Sequence, residues 1–271
     1  MGPVEHLLGQ PLSSLRVLLI AAHPDDETLG AGALLARLSA GGARLAFAHA
    51  TDGAPADMTD AHAHGFQTRD LYAAAREEEL RNALACLPNT PERFSLGFVD
   101  QSLAFELTDV TAALAGVLRT FRPSIVLSHP YEGGHPDHDS VALATTLALS
   151  RAALDDRPRH VEFTSYHLWN GALRSGVFLG DDERTATAFE PDEEARQVKQ
   201  RMLQCFVSQR ETLGGFDTGP RECFRRALRY DFRRPPHDPP LLYDLYHWGI
   251  SSGQWLAQAS AVLDADNVLC R

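Results

Sequence analysis

The sequence predicts an α/β protein: a mostly parallel sheet with helices packed on both faces. Three observations carry this. Short apolar runs have the length and continuity of strands buried on both sides. Helical patterns alternate with them, the rhythm that builds a parallel sheet from crossover units. Dense polar clusters follow two of the strands directly, and open sheets of this class form their sites beyond the strands' carboxyl ends.

The elements can be justified in order. "RVLLIAA" (16–22) reads as a buried strand, and "TLGAGALLARLSAGG" (28–42) as a helix closed by glycines. "RLAFAHA" (44–50) is a second strand, followed by a polar loop of unusual length, 53–70. A long helix runs through "LYAAAREEELRNALACL" (71–87), then "RFSLGF" (93–98) is a candidate strand and "LTDVTAALAGVLRTF" (107–121) a helix. "PSIVLS" (123–128) is a third buried strand. The whole chain, 1–271, reads as a single domain with its core over about 15–210 and an irregular, loop-rich extension over about 211–271.

Composition narrows the functional classes. A net charge of −11 sets the surface against nucleic acid and anionic membranes. The apolar run at 15–22 is too short to span a bilayer and lacks a basic leader or cleavage site, so no stable membrane insertion is expected and the cytoplasm is the expected location. Cys86, Cys205, Cys223 and Cys270 are scattered, with no C-x-x-C, which argues against a cysteine metal site or a disulfide framework. The sequence says nothing of oligomeric state.

The chemistry concentrates in two stretches. In "HPDDE" (23–27), His23 and Asp26 are three apart in a turn and can converge on one point, with Asp25 between them free to hold a water. In "YEGGHPDHDS" (131–140), His135 and His138 repeat that spacing around Asp137. Imidazoles and a carboxylate with one position left open describe a catalytic zinc site; ferrous iron suits the same donors. Spacing alone leaves open whether His135 or His138 is the third ligand. The plainer reading is that Asp25, Asp26 and Thr28 cap the following helix, where acids favour the dipole. "GAGALLA" (30–36) with Asp52 imitates a dinucleotide fingerprint. Seven residues, three of them acidic, separate those glycines from Ala22, however, and the charges would repel a pyrophosphate, so close helix–sheet packing is the better reading.

"AHPDDE" after the first strand, "TDG" (51–53) after the second, Arg76 and Glu79 as R-x-x-E, and "HPDH" (135–138) together resemble the PIG-L (LmbE-like) family of zinc-dependent N-acetylglucosaminyl de-N-acetylases. The likeness runs from 15 to about 150, and continues weakly through "KQRMLQCFVSQ" (199–209). It implies a Rossmann-like sheet, zinc held by His23, Asp26 and His138, Asp25 as general base on the attacking water, and His135 as general acid and oxyanion stabiliser oriented by Asp137. It also implies a small-molecule N-acetylated amino-sugar conjugate as substrate, with Arg76 and Asp100 as substrate contacts. A tyrosine that supports the oxyanion in one branch of the family is matched here by Gly133, leaving Tyr131 or Glu132 as substitutes, and a family histidine before Ser-Gln is matched by Phe206. The rival readings are a deacylase of a non-sugar N-acyl amine and a non-catalytic nucleotide- or sugar-binding protein on the same fold.

Remaining candidates carry plainer expectations. Arg76 could equally form a surface ion pair, and Asp100 a turn cap. His62 and His64 are expected in solvent, His167 and Trp169 in the core, and His129 beside the site or buried structurally. "RECFRRALRYDFRR" (221–234) holds six arginines, either a guide for an anionic substrate or partners for surplus acids.

Overall fold

A computed structural model describes residues 3–180, 186–216, 219–246 and 248–269. Cys270 therefore lies outside the described residues. A seven-stranded sheet forms the centre, in the order β3-β2-β1-β4-β5-β9-β8. Its strands are β1 (Arg16–Ala21), β2 (Arg44–Pro55), β3 (Glu92–Asp100), β4 (Ile125–Ser128), β5 (Arg159–Phe163), β8 (Thr187–Phe189) and β9 (Glu222–Arg226). β3, β2, β1, β4 and β5 run parallel, while β9 pairs antiparallel with β5 and β8. A separate hairpin joins β6 (Tyr166–Trp169) to β7 (Ala172–Ser175).

β1 shows why the strands read as continuously apolar. Val17, Leu19 and Ala21 enter one core while Leu18, Ile20 and Ala22 enter the other. Both faces are covered, so alternation has no polar phase. After α1 (Pro3–Leu8), the first core lies under α2 (Asp26–Ala40), α4 (Arg69–Leu84) and α7 (Glu193–Cys205), which the short α8 (Arg210–Gly214) follows; the second lies under α5 (Leu107–Phe121) and α6 (Pro136–Arg151). The glycines of the dinucleotide-like stretch serve packing. A Cβ on Gly30 would stand 2.4 Å from the Phe163 ring, and one on Gly32 3.0 Å from Lys199.

Chain order runs outward from β1 through β2 to β3, then crosses back to β4 beside β1. The sheet's order therefore reverses between β1 and β4, and their carboxyl ends open a crevice at that point.

Two sequence expectations need correction. The loop at 53–70 is shorter than its polarity suggests. β2 continues to Pro55 through register shifts against β3, and the short helix α3 (Thr59–Ala63) follows. Ala61 pins α3 against Ala54 and Tyr72. The segment from 211 onward is not an irregular extension either. It supplies β9 to the main sheet and α10 (Ser252–Leu269), whose Trp255 is fully buried against α6 residues. Its Pro- and Arg-rich composition concealed a strand buried by pairing and two helices, α9 (Leu242–Leu245) and α10.

β9 also shows what one of the arginines does. Arg225, 4% exposed, binds Glu162 at 2.8 Å and Glu132 at 3.1 Å, and lies over the Phe178 ring. Arg233 pairs with Asp264 and Arg234 with Asp231, while Arg226 is exposed. Arg225 therefore partners surplus acids rather than awaiting a substrate. Arg225→Ala is expected to cost about 3–5 kcal/mol, because it strands two buried carboxylates. Arg226→Ala should stay within about 0.5 kcal/mol of the parent. Urea unfolding of the two variants measures the contrast.

Candidate metal centre and active site

His23, Asp25 and Asp26 occupy the turn between β1 and α2, and residues 129–138 the connection between β4 and α6. The reversal of strand order therefore brings both histidine-rich stretches to one crevice. Asp26 sits in the first turn of α2 and its Oδ2 accepts the His23 N–H at 2.8 Å. His138 sits in the first turn of α6.

Their side chains converge. His23 Nδ1 lies 3.3 Å from Asp26 Oδ2, His138 Nε2 lies 3.1 Å from Asp26 Oδ1, and the two ring nitrogens are 3.3 Å apart. Ligands held 2.0–2.1 Å from a tetrahedral zinc stand about 3.3 Å from one another. Two imidazoles and one carboxylate at that mutual spacing fit such an ion.

Other groupings of donors are possible, and hydrogen bonds decide among them. His23, His135 and His138 are near one another, as are Asp26, His129 and His138. But His135 Nδ1 accepts the Asp137 N–H at 3.1 Å, so a neutral His135 carries its proton on Nε2 and offers no lone pair there. His129 Nε2 accepts the Ala22 N–H at 3.2 Å, and its ring stacks on His138 with centroids 4.0 Å apart. The third grouping, His23 with Asp100 and Asp137, lies on the other side of the His23 ring: Nε2 is 2.9 Å from Asp100 and 3.4 Å from Asp137. Carboxylates there favour a proton on Nε2 and leave Nδ1 free for a metal, the usual support for a ligating histidine. Ser165 Oγ supports His138 in the same way, 3.2 Å from Nδ1.

Asp25 occupies the N-cap position of α2 with φ of 118°, yet its side chain makes no cap hydrogen bond. The capping reading therefore fails for this carboxylate. Its Oδ2 instead takes a hydrogen bond from Arg76 Nη2 at 3.2 Å, and Arg76 also donates to the Pro24 carbonyl at 2.6 Å. Burial pushes the Asp25 carboxyl up to about 8, against the nearby Arg76 charge. Glu27, the third acid, is fully buried and lies 3.1 Å from His49 Nε2, which makes it structural.

Three expected roles change. Arg76 is 3% exposed and donates through Nη2 to Asp25 and to the Pro24 carbonyl, a geometry that positions the acid. The "TDG" glycine makes room for it: Gly53 has φ of +68°, and a Cβ there would lie 2.9 Å from the Arg76 guanidinium and from Pro24. Asp100 faces His23 rather than open space. Asp137 orients His135 through its backbone N–H; its carboxylate is occupied by the N–H groups of Gln101 and Leu103, at 2.7 and 3.1 Å. Burial first, then the neighbouring His23 and His138, holds His135 well below the usual imidazole range. The structure favours a neutral His135 that donates Nε2–H.

The proposed oxyanion substitutes do not serve. The Tyr131 hydroxyl donates to the Arg234 carbonyl, and Glu132 is bound to Arg225 and the Leu179 N–H. Glu79 of R-x-x-E accepts the Ser208 N–H and hydroxyl at 2.7 and 2.8 Å, fastening α4 to the turn after α7. His167 is buried near Glu132, Trp169 is half-buried, and His64 is exposed on Tyr72.

Sequence reading missed Ser165, Tyr166 and Trp248. Tyr166 packs its ring 5.1 Å from His138, and Trp248 lies 4.6 Å from His135. Ser165 and Tyr166 follow β5, whose carboxyl end adjoins that of β4; that adjacency was the available signal.

Fold and site together define an open α/β sheet that carries a His–Asp–His centre where its strand order reverses. Residues 18–149 match the family model "PIG-L: GlcNAc-PI de-N-acetylase". A 1D-myo-inositol 2-acetamido-2-deoxy-alpha-D-glucopyranoside deacetylase of Rhodococcus jostii is 33% identical over 172 residues, 54% of this chain and 57% of that one. A probable N-acetyl-alpha-D-glucosaminyl L-malate deacetylase 2 of Bacillus subtilis is 33% identical over 148 residues, 54% of this chain and 65% of that one. The chain thus spans less than two thirds of either relative. The teicoplanin deacetylase Orf2, solved in a zinc-inhibited form, shares the fold with a TM-score of 0.63 at 20% identity, over 80% of this chain and 99% of that one. N,N'-diacetylchitobiose deacetylase from Pyrococcus horikoshii does so with 0.57 at 19% identity, over 74% of this chain and 73% of that one. Among the described residues no helix is long and apolar enough to cross a membrane.

Proposed function

We propose that the chain is a zinc-dependent N-deacetylase of the cytoplasm that removes acetate from a small amino-sugar conjugate. One observation carries the reading: the donor atoms of His23, Asp26 and His138 stand 3.1–3.3 Å apart, with Asp25 and His135 beside them. The sequence relatives, named as deacetylases of N-acetylglucosaminyl inositol and malate compounds, support the substrate class.

Zinc held by His23, Asp26 and His138 would supply the Lewis acidity that acidifies water and polarises the acetyl carbonyl. Asp25 accepts the water's proton as oxygen bonds to the carbonyl carbon, and returns it to nitrogen as the C–N bond breaks. Arg76 keeps the Asp25 carboxylate aimed. His135, fixed by the Asp137 N–H, donates Nε2–H to the oxygen as negative charge gathers there.

Acetate release from the zinc-loaded protein, over a panel of N-acetylglucosaminyl conjugates and non-sugar N-acyl amines, tests this. Amino-sugar conjugates should be cleaved. Release from the non-sugar amines alone would move the substrate class, and release from none would overturn the reading.

A further inference from the structure

The chain has five tyrosines besides Tyr166, and all but one commit their hydroxyls to the protein. Tyr131 donates to the Arg234 carbonyl, Tyr230 to Glu162, Tyr243 to Asp139, and Tyr72 accepts from Gln209. Tyr246 is half exposed and stacked on Trp248. Tyr166 differs from them all. It is half-buried at the metal centre, yet among the described residues its hydroxyl has no hydrogen-bond partner.

Its placement is built by several contacts. Alternation along β6 turns Tyr166 away from His167, which faces Glu132 on the other side. The Tyr166 ring meets the His138 ring edge-on at 5.1 Å and stacks on Phe216 at 4.6 Å. The preceding residue, Ser165, is the one that contacts His138 Nδ1. Close backbone approach brings β6 here: a Cβ on Gly134 would stand 1.9 Å from the Tyr166 carbonyl oxygen. Only glycine fits at 134, so the loop that carries His135 and the strand that carries Tyr166 are locked together. A phenol clamped between two rings, with a free hydroxyl, loses little entropy on making one new hydrogen bond.

We propose that Tyr166 is a second oxyanion donor, its hydroxyl joining His135 Nε2–H on the oxygen of the scissile acetyl group. This rests on the deacetylase reading and adds a catalytic residue to it. The phenol arrives from β6 rather than from the loop before His135, where Gly133 and Gly134 leave no side chain to do the work. A donor aimed at charge that develops in the transition state strengthens its bond as the reaction proceeds, so its loss falls on kcat.

Tyr166→Phe keeps the ring and removes the hydroxyl. In the zinc-loaded protein we expect kcat to fall by about 10²–10³ with KM changed less than about threefold, the usual result of removing one oxyanion donor. Zinc content and unfolding midpoint should match the parent. A second measurement separates this proposal from the reading beneath it. Titration calorimetry with methylphosphonate, a tetrahedral anion, should show binding to Tyr166→Phe weakened about tenfold, against less than about twofold for planar acetate. Unchanged methylphosphonate affinity in a folded, zinc-replete Tyr166→Phe overturns the proposal, whatever the parent cleaves. A parent that binds methylphosphonate through Tyr166 but releases no acetate overturns the deacetylase reading alone. Equal weakening of both anions, or loss of zinc, assigns Tyr166 to structure and also overturns it.

Discussion

Asp25→Asn is expected to leave zinc in place and lower turnover by about 10²–10⁴, the range a positioned proton acceptor contributes. The substitution suits the geometry. Asparagine has the size of aspartate, and its amide oxygen can still accept from Arg76 Nη2, so the turn keeps its anchor to α4. The helix start does not depend on the carboxylate either. The Asp25 backbone carbonyl accepts the N–H groups of Thr28 and Leu29 at 3.0 and 2.9 Å, and the side chain caps nothing. Asp26, His23 and His138 keep their mutual contacts. What disappears is one basic oxygen at the open side of the centre. Atomic emission for zinc, alongside kcat for acetate release, checks both halves. Near-parental turnover with full zinc would remove Asp25 from proton transfer.

The strand-and-turn logic of the site was legible because its residues are local. His23, Asp25 and Asp26 lie within one turn after β1, and His135, Asp137 and His138 within one turn at the start of α6, so short spacing places each group. Sheet order, which no local spacing states, then joins the two. Roles that depend on long-range packing were harder to read. Arg76 lies on an acid-rich helix and reads as a surface residue; its burial comes from α4 crossing the tip of β2, where Gly53 opens a path to Asp25. Asp100 reads as a substrate contact or a turn cap, because the His23 ring that it faces follows another strand and no local spacing shows it. Asp137 could not be read from its type: its backbone orients His135 while its carboxylate serves the turn at 101–103. β9 and α10 were missed because both are buried by distant partners, β5 and α6 respectively, within a stretch whose composition resembles loop.

Removing any one of His23, Asp26 and His138 should strip the metal, while removing His135 should not. The three proposed ligands present one carboxylate and two ring nitrogens to a common point, and with one gone only two protein donors would remain, too few for a zinc site. Alanine at 23, 26 or 138 should therefore leave purified protein with little zinc after dialysis, and no acetate release. Asp26→Ala adds a second loss, since the same carboxylate accepts the His23 N–H and holds the turn. Ser165→Ala is a graded control: it removes only the support on His138 Nδ1, and should weaken zinc affinity by about 10–100-fold. His135→Ala tests the assignment from the other side. Its Nδ1 is occupied by the Asp137 N–H and its Nε2 carries the proton, so zinc should stay at parental content while kcat falls. An empty His135→Ala protein, with zinc retained in His138→Ala, would exchange the two histidines: His135 would then be the ligand, and the tautomer inferred from the Asp137 hydrogen bond would not survive metal binding.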